Sequence, residues 1–236
     1  NYSNVCVATC SFCAFYRPPG HGDGYLLSWE EIDQKVGEAV RLGASQILMQ
    51  GGLHPDLPLS YYEDLIRRIK KFPVRLHGFS PPEIAHFAKV SKMSVSHVLA
   101  RFKDCGLDSI PGGGAEILVD EVRDVVARGK CLSTEWLSVM EEAHKTGLRT
   151  SATMMFGHVE TQAHRVEHLT RLRDLQDRTH GFVAFIPWTF VPGPGTELKL
   201  PPKGGAEYLK TLAICSLYLD NFEHILAAAD VVAGIV

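Results

Sequence analysis

The chain has 236 residues, a formal net charge of -3 and 45% hydrophobic residues, which is enough to build the core of one sizeable domain. This charge gives no basic field, and since nucleic-acid binding needs a concentrated cationic face, we do not expect a nucleic-acid partner. No apolar run reaches the roughly 18 residues needed to span a bilayer, and no signal-like leader opens the sequence. We therefore expect a cytoplasmic protein with reduced cysteines and no membrane or nucleic-acid partner.

Regular structure is predicted from Ser28 onward, where Ser28 and Glu31 form the capping-box pattern of a helix start. Apolar residues then recur at helical spacing until Gly43, and a short apolar strand follows. Ser60 and Glu63 repeat the capping pattern before the second helix. Strands are predicted over 46–50, 74–79, 107–110, 148–155, 182–190 and 224–229, and further helices over 61–71, 82–89, 95–105, 119–128, 135–146, 162–179 and 206–222.

This alternation of strands and helices predicts an α/β fold with a parallel sheet and right-handed crossovers. With one strand before Asn1 and another after Val236, the complete fold would be a (β/α)8 TIM-type barrel, seen here as a fragment lacking its first strand and C-terminal end. An open doubly wound sheet is the alternative. The barrel is favoured because most unusual residues follow strands, where barrel enzymes build their sites. We expect a single domain over 1–236, with a possible lid loop at 192–205.

Three cysteines, Cys6, Cys10 and Cys13, are separated by three and then two residues. Thiolates are the soft ligands that zinc and iron–sulfur clusters select, so the loop 1–20 is predicted to hold a metal centre. A structural zinc site usually closes four positions with a second clip or histidines, and neither follows. A disulfide framework is typical of smaller secreted chains. Three ligands on a 4Fe-4S cluster would leave one iron open to a substrate or co-substrate.

Two glycine-rich segments follow predicted strands, Gln50-Gly51-Gly52 and Gly112-Gly113-Gly114. Glycine lets a ligand approach the backbone closely, and an ordinary tight turn is the plain alternative. Glu116 lies at the mouth of the next helix, where we expect it to bind a ribose hydroxyl; the alternative is a carboxylate stabilised by the helix dipole. Neither segment matches a dinucleotide fingerprint or a P-loop.

Other candidates lie near the predicted strand ends or directly after the cysteine loop. His158 and Glu160 form a pair suited to proton transfer, with helix capping as the alternative. Tyr16 is a candidate for substrate contact or a redox step, and Arg17 for binding a carboxylate. The remaining candidates are Ser80, Arg149, Trp188 and His54; His144, His164 and His168 are expected on helix surfaces and receive no role.

The spacing Cys-x3-Cys-x2-Cys, with Phe12 before the third cysteine, resembles the radical S-adenosylmethionine (SAM) superfamily, which is built on full or partial TIM barrels. Within it, the chain looks like the family of cyclic dehypoxanthine futalosine synthases, of the futalosine route to menaquinone. The blocks that carry this resemblance are YSNVC (2–6), CAFYR (13–17), QGGLHP (50–55), SPPEI (80–84), GLDSIPGGGAEIL (106–118), TMM (153–155), GHVET (157–161) and FIPW (185–188).

The resemblance implies that Cys6, Cys10 and Cys13 hold a 4Fe-4S cluster whose free iron binds SAM. An electron donor such as flavodoxin or ferredoxin would reduce it, and the resulting deoxyadenosyl radical would cyclise dehypoxanthine futalosine. We accordingly expect co-substrate contacts from Phe12, Gln50, Gly51, Gly52, Ser80, Glu116 and Arg149, and substrate contacts from Arg17, His54, Gly112, Gly113, Gly114 and Trp188.

Two kinds of alternative stay open. Aminofutalosine synthase and the radical subunits of deazaflavin synthase are sister enzymes of similar build, and the unbroken block over 106–118 favours the cyclase. A non-catalytic iron–sulfur electron carrier or a zinc-stabilised binding protein is the alternative from another class. An electron carrier usually covers its cluster with four protein ligands, so the three-cysteine loop counts against it.

Overall fold

A computed structural model describes residues 1–228, which contain eight helices and five strands. The helices are α1 Trp29–Arg41, α2 Leu59–Ile69, α3 Pro81–Ser91, α4 Val95–Cys105, α5 Asp120–Val126, α6 Ser133–Lys145, α7 Gln162–Thr179 and α8 Gly205–Tyr218. The strands are β1 Gln46–Met49, β2 Arg75–Gly78, β3 Ser109–Ile110, β4 Arg149–Phe156 and β5 Phe182–Thr189. Within this described part, no helix combines the length and the apolar character needed to cross a bilayer.

The five strands run parallel and are paired in their order along the chain, β1-β2-β3-β4-β5. A doubly wound sheet reverses its strand order part-way, so that alternative is wrong. The described strands form half of a barrel, with the helices packed on its outer face. Ile225 forms one parallel bridge with Phe185, which places the start of the predicted strand 224–229 beside β5. Residues 226–228 carry no strand structure, and residues 229–236, which include the last residue of the predicted strand, lie outside the described residues.

Helix starts were predictable where the cap lies beside its helix in the sequence. At α1, the Ser28 hydroxyl accepts the Glu31 amide at 3.2 Å and Glu31 accepts the Ser28 amide at 2.7 Å, which confirms the predicted capping box. At α2 the prediction is wrong, because the helix begins at Leu59 and its N-cap is Pro58. The Glu63 carboxylate is buried and accepts a hydrogen bond from Arg101 of α4.

One histidine that was predicted on a helix surface lies in the core. His168 of α7 is fully buried, and its Nδ1 accepts the backbone N–H of Leu118 at 3.0 Å. The surface prediction was wrong because the buried face of α7 itself carries polar side chains, Arg165, His168 and Gln176, so polarity does not distinguish its inner face from its outer one. His144 is partly buried and bonds Thr179 and Thr150 through its two ring nitrogens, at 2.7 and 2.8 Å.

Candidate active site

A cavity of about 270 Å³ lies at the carboxyl ends of the strands, between the sheet and the N-terminal loop. This is the end of a barrel where enzymes of this architecture bind their substrates. The predicted site residues that line it are Cys6, Cys10, Phe12, Cys13, Tyr16, Gln50, Gly51, Gly52, Ser80, Gly113, Gly114, Glu116 and Trp188. Residues that are far apart in the sequence are therefore brought together at one place.

The loop that carries the cysteines is held between two parts of the barrel. The Val7 amide donates to the Leu53 carbonyl at 3.0 Å, just beyond β1. The Thr9 amide donates to the Arg128 carbonyl at 2.9 Å, just beyond α5. Because each bond satisfies a backbone group at a fixed point of the fold, the loop is tied across the mouth of the cavity.

The three thiols are free and partly or fully buried. The backbone N–H of Leu53 donates to the sulfur of Cys6 at 3.3 Å. Burial raises the pKa of the Cys10 thiol to about 11 and also raises that of Cys6. Since a metal centre requires thiolates, its binding here would release protons. Across residues 1–228, no three His, Cys, Asp or Glu side chains converge on a single-ion site.

Two glycines after β1 are required by close packing of the N-terminal segment. A Cβ added at Gly51 would lie 2.3 Å from the ring of Tyr2. A Cβ at Gly52 would lie 2.1 Å from the carbonyl oxygen of Val5, the residue before the first cysteine. These glycines therefore let the cysteine loop lie directly on the strand end, a structural requirement that holds whether or not they also contact a ligand.

The second glycine segment is equally crowded. A Cβ at Gly113 would lie 2.2 Å from the side-chain nitrogen of Gln50, and one at Gly112 would lie 2.5 Å from the Cα of Ala152. Gly114 has a φ of +77°, a conformation that favours glycine. Gly113 and Gly114 line the cavity, whereas Gly112 is packed against β4 outside the lining.

A buried carboxylate joins three of the chain segments at the cavity. Glu83 accepts the Tyr2 hydroxyl at 3.0 Å, the Gly51 amide at 2.9 Å and both the amide and hydroxyl of Ser80, at 2.8 and 2.7 Å. Burial raises the pKa of Glu83, and these four donors oppose that shift. Ser80 therefore lines the cavity while its own hydroxyl is committed to Glu83.

Glu116 is a buried carboxylate with one oxygen unused. Its Oε1 accepts a hydrogen bond from Lys130 at 2.9 Å, and Arg123 lies 3.6 Å from its Oε2. That Oε2 has no hydrogen-bond partner among the described residues. A buried acceptor without a donor, on the wall of a cavity, fits a ligand that presents a hydroxyl or N–H group.

Lys130 lines the same cavity and was not among the predicted residues. Its ammonium lies 5.1 Å from the ring centroid of Phe12, between the second and third cysteines. Burial lowers the pKa of Lys130, but Glu116 and the Cys10 sulfur raise it, and the net shift is upward. Lys130 is therefore a cation. Lys130 lies fourteen positions after Glu116, with α5 between them, and no local sequence signal indicates that the two side chains meet.

His158 and Glu160 lie outside the cavity lining, with side chains that are 0% and 1% exposed. The two ring nitrogens of His158 bond the Met155 carbonyl at 2.9 Å and the Val159 amide at 2.8 Å. Glu160 accepts two backbone amides, at 2.7 and 2.8 Å, and the guanidinium of Arg165. Burial raises the pKa of Glu160, yet these donors outweigh it and the net shift is downward. The pair is thus occupied in holding the turn after β4.

Three other predicted residues, Arg17, His54 and Arg149, are not among the residues that line the cavity. Arg17 donates to the carbonyls of Ala14 and Tyr16 in its own loop, at 3.2 and 2.9 Å. His54 lies beyond the lining, and its Nδ1 accepts the Asp56 amide at 3.2 Å. Arg149 is exposed and begins β4, at the opposite end of the strand from the cavity. Its prediction as a cofactor-binding residue does not fit this placement, because parallel strands direct only their carboxyl ends to the site.

The family model described as "Radical SAM superfamily" matches residues 1–172. The chain belongs to the radical SAM superfamily. Methylornithine synthase has a crystal structure that superposes with a TM-score of 0.73, at 17% identity, over 94% of this chain and 62% of that one. At that identity the likeness shows the fold alone, a radical SAM barrel.

Curated relatives of this radical SAM chain carry several names. It is 48% identical over 229 residues to the cyclic dehypoxanthine futalosine synthase of Halalkalibacterium halodurans, covering 95% of this chain and 61% of that protein. It is 44% identical over 223 residues to the 5-amino-6-(D-ribitylamino)uracil–L-tyrosine 4-hydroxyphenyl transferase of Methanothermobacter thermautotrophicus, covering 92% and 61%. It is 41% identical over 230 residues to the aminodeoxyfutalosine synthase of Thermus thermophilus, covering 94% and 62%. The chain thus spans about three fifths of the length of these relatives.

Proposed function

We propose that the protein carrying this chain cyclises dehypoxanthine futalosine to cyclic dehypoxanthine futalosine, with SAM as co-substrate. The main support is that three thiols, an unpartnered buried carboxylate oxygen and two glycine segments line one cavity at the site end of a radical SAM barrel. The choice of substrate follows the relative with 48% identity, the cyclic dehypoxanthine futalosine synthase of Halalkalibacterium halodurans.

Superfamily membership implies a 4Fe-4S cluster and SAM, and the donor set here fits them. Cys6, Cys10 and Cys13 would hold the cluster, and three protein ligands leave one iron free for SAM. When bound and reduced, the cluster supplies the electron that cleaves the SAM sulfonium to methionine and a 5'-deoxyadenosyl radical. The electron comes from a low-potential donor, such as flavodoxin or ferredoxin.

The chain's own residues would orient the co-substrate and exclude water. Glu116 would accept a ribose hydroxyl at its free Oε2. The backbone at Gly51 and Gly52 would approach the methionine part of SAM. Tyr16 and Trp188 line the cavity and would form part of the wall that faces the substrate. A closed wall matters because a radical must be kept from water and other quenching groups.

The loop 192–205, predicted as a lid, contacts the cysteine loop. The Leu198 amide donates to the Ser11 carbonyl at 2.9 Å, and Glu197 pairs with Arg128. We propose that this loop covers the cavity when substrate is present. Its attachment to Ser11 would couple its position to that of the cysteines.

The proposed reaction is an oxidative ring closure. The substrate gives its C4' hydrogen atom to the deoxyadenosyl radical, and C4' then forms a bond to the benzoate ring. Loss of one proton to solvent and of one electron to the external redox carrier, which takes back the electron it gave for SAM cleavage, restores the aromatic ring, so the product is two hydrogen atoms lighter than the substrate. His158 and Glu160 are not assigned to this proton, because their side chains are buried outside the cavity lining.

The second candidate is a sister reaction, favoured by the 44% identity to the tyrosine transferase. Both are tested by giving the anaerobically reconstituted full-length protein either dehypoxanthine futalosine or 5-amino-6-(D-ribitylamino)uracil with tyrosine, plus SAM and dithionite. The proposal expects a product two hydrogen atoms lighter than dehypoxanthine futalosine, and none from the second mixture. A tyrosine-derived adduct without the cyclised product would overturn it.

A further inference from the structure

Lys130 is a largely buried cation that lies against the loop that carries the cysteines. Its side chain is 18% exposed, pairs with Glu116 at 2.9 Å and lies over the ring of Phe12 at 5.1 Å. Phe12 is flanked in sequence by Ser11 and Cys13, and it lines the same cavity as the three thiols. The ammonium is therefore held from two sides, by Glu116 and by the Phe12 ring, in the cavity that the three thiols line.

The backbone around Lys130 explains how it reaches this position. The Arg128 carbonyl accepts the Thr9 amide at 2.9 Å, between the first and second cysteines. Gly129 has a φ of +81°, and a Cβ there would lie 3.1 Å from the Cα of Ala8. The segment that ends in Lys130 thus lies directly on the cysteine loop, and the pair with Glu116 holds the ammonium in the cavity.

Two carboxylates, Glu116 and Glu83, and two cations, Lys130 and Arg123, lie at or beside the cavity, so their formal charges cancel overall. They are separated in space, because Glu83 is hydrogen-bonded to Tyr2, Gly51 and Ser80, whereas Lys130 lies over Phe12 of the cysteine loop. The Arg123 guanidinium is 3% exposed and donates to the carbonyls of Gly114, Ala115 and Cys131. Lys130 is the cation of this group that lines the cavity itself.

We propose that Lys130 is a positioning residue that raises the reduction potential of the cluster held by Cys6, Cys10 and Cys13. The proposal rests on the proposed function, because it needs the cluster. The potential of an iron–sulfur cluster depends on nearby charge, on hydrogen bonds to its sulfurs and on solvent exposure. A fixed cation favours the reduced, more negative state, and low exposure keeps this effect from being screened. The cluster would then accept one electron from a low-potential donor more readily.

The proposal is tested by the direction in which each substitution shifts the reduction potential of the cluster. The full-length protein and its Lys130→Gln, Lys130→Arg and Glu116→Gln variants are reconstituted, and each cluster is titrated potentiometrically by electron paramagnetic resonance without SAM. Lys130→Gln is expected to lower the reduced-to-oxidised ratio at a fixed potential by about tenfold, a shift of ~59 mV for one electron. Lys130→Arg should match the unmodified protein, and Glu116→Gln should raise the potential.

The results that would contradict the role of Lys130 differ from the one that would contradict the proposed function. A Lys130→Gln cluster with the unmodified potential would overturn the proposal, as would weaker SAM binding with no change in potential, which would assign Lys130 to the co-substrate. If Lys130→Gln takes up no iron, the sign for Glu116→Gln decides, and an unchanged or lower potential there overturns the proposal. Failure of the unmodified protein to form any cluster would instead contradict the proposed function.

Discussion

The carboxylate of Glu83 accepts the backbone N–H of Gly51 at 2.9 Å, joining the segment after β1 to the start of α3. The same oxygen accepts the Tyr2 hydroxyl, so the N-terminal segment is fixed by the same group. Glu83 is 1% exposed and meets four donors in all. The position of the glycine motif beside the cysteine loop thus depends on one buried acceptor.

Glu83→Gln is expected to weaken the hydrogen bonds that hold Tyr2, Gly51 and Ser80 around this carboxylate. An amide offers one acceptor oxygen instead of two and turns its NH2 toward existing donors, so at least one buried donor is left unpaired at a cost of about 1–3 kcal/mol. Urea unfolding should show that loss, and calorimetry should show weaker SAM binding. Glu38→Gln, on the exposed face of α1, is the matched control. Unchanged unfolding and SAM affinity in Glu83→Gln would contradict the role given to Glu83.

Gly52→Ala is expected to displace the cysteine loop. The new Cβ would lie 2.1 Å from the Val5 carbonyl oxygen, and backbone cannot move aside as a flexible side chain can. Overpacking of this kind costs about 1–3 kcal/mol, and here the strain falls next to Cys6. Iron content after reconstitution should fall severalfold. Gly22→Ala, where a Cβ meets nothing within 4 Å, should keep its iron. Equal iron content in the two variants would count against the packing role.

Glu160→Gln separates a structural role from a catalytic one. It weakens a buried ion pair with Arg165 at 2.7 Å, and breaking such a pair costs about 3–5 kcal/mol. We expect a lower unfolding free energy, with deoxyadenosine and cyclised product falling together as folded protein is lost. If deoxyadenosine stays intact while cyclised product alone is lost, Glu160 accepts the proton after all. The test requires both products to be quantified in the same reaction.

The burial of His168 is expected to make the free energy of unfolding depend on pH. Its Nδ1 accepts the Leu118 amide, and burial lowers its folded-state pKa to about 3. The unfolded histidine titrates near about 6.5, so the unfolded state binds more protons between these values and stability falls as pH decreases. From pH 7 to pH 5 this amounts to about 2 kcal/mol.

The control for that dependence is His168→Gln, which has no titrating group at this position. The variant is expected to be less stable at pH 7, but its unfolding free energy should fall less steeply from pH 7 to pH 5. Other histidines whose pKa is lowered by burial, such as the partly buried His77 and His144, remain in both proteins, so their contributions cancel in the comparison. Parallel pH profiles for the two proteins would contradict the assignment of a neutral, buried His168.

Much of the fold could be predicted from sequence because its signals are local. The capping box of Ser28 and Glu31 and the apolar spacing that follows it specify α1 without help from other segments. The cap predicted at Ser60 failed because Glu63 finds a partner, Arg101, on another helix. His168 was misplaced for a related reason, since helix packing decides which face is buried.

The site was predictable in part for the same reason. The glycines follow strand ends, and strand ends of a parallel barrel meet at one mouth, whereas the cysteines were identified by their spacing alone. Lys130 could not be found in this way, because its contact with Phe12 exists only after α5 folds back on the N-terminal loop. Arg149 begins its strand, and that alone places it at the far end of the barrel.

The central claim is that Cys6, Cys10 and Cys13 hold a cluster that cleaves SAM. The most direct test is to reconstitute the full-length protein anaerobically with iron and sulfide, add SAM and dithionite, and measure 5'-deoxyadenosine. The unmodified protein and Cys105→Ala should form it, whereas alanine at any of the three loop cysteines should abolish it. No deoxyadenosine from unmodified protein that contains its iron, or undiminished formation by the loop variants, would contradict the account.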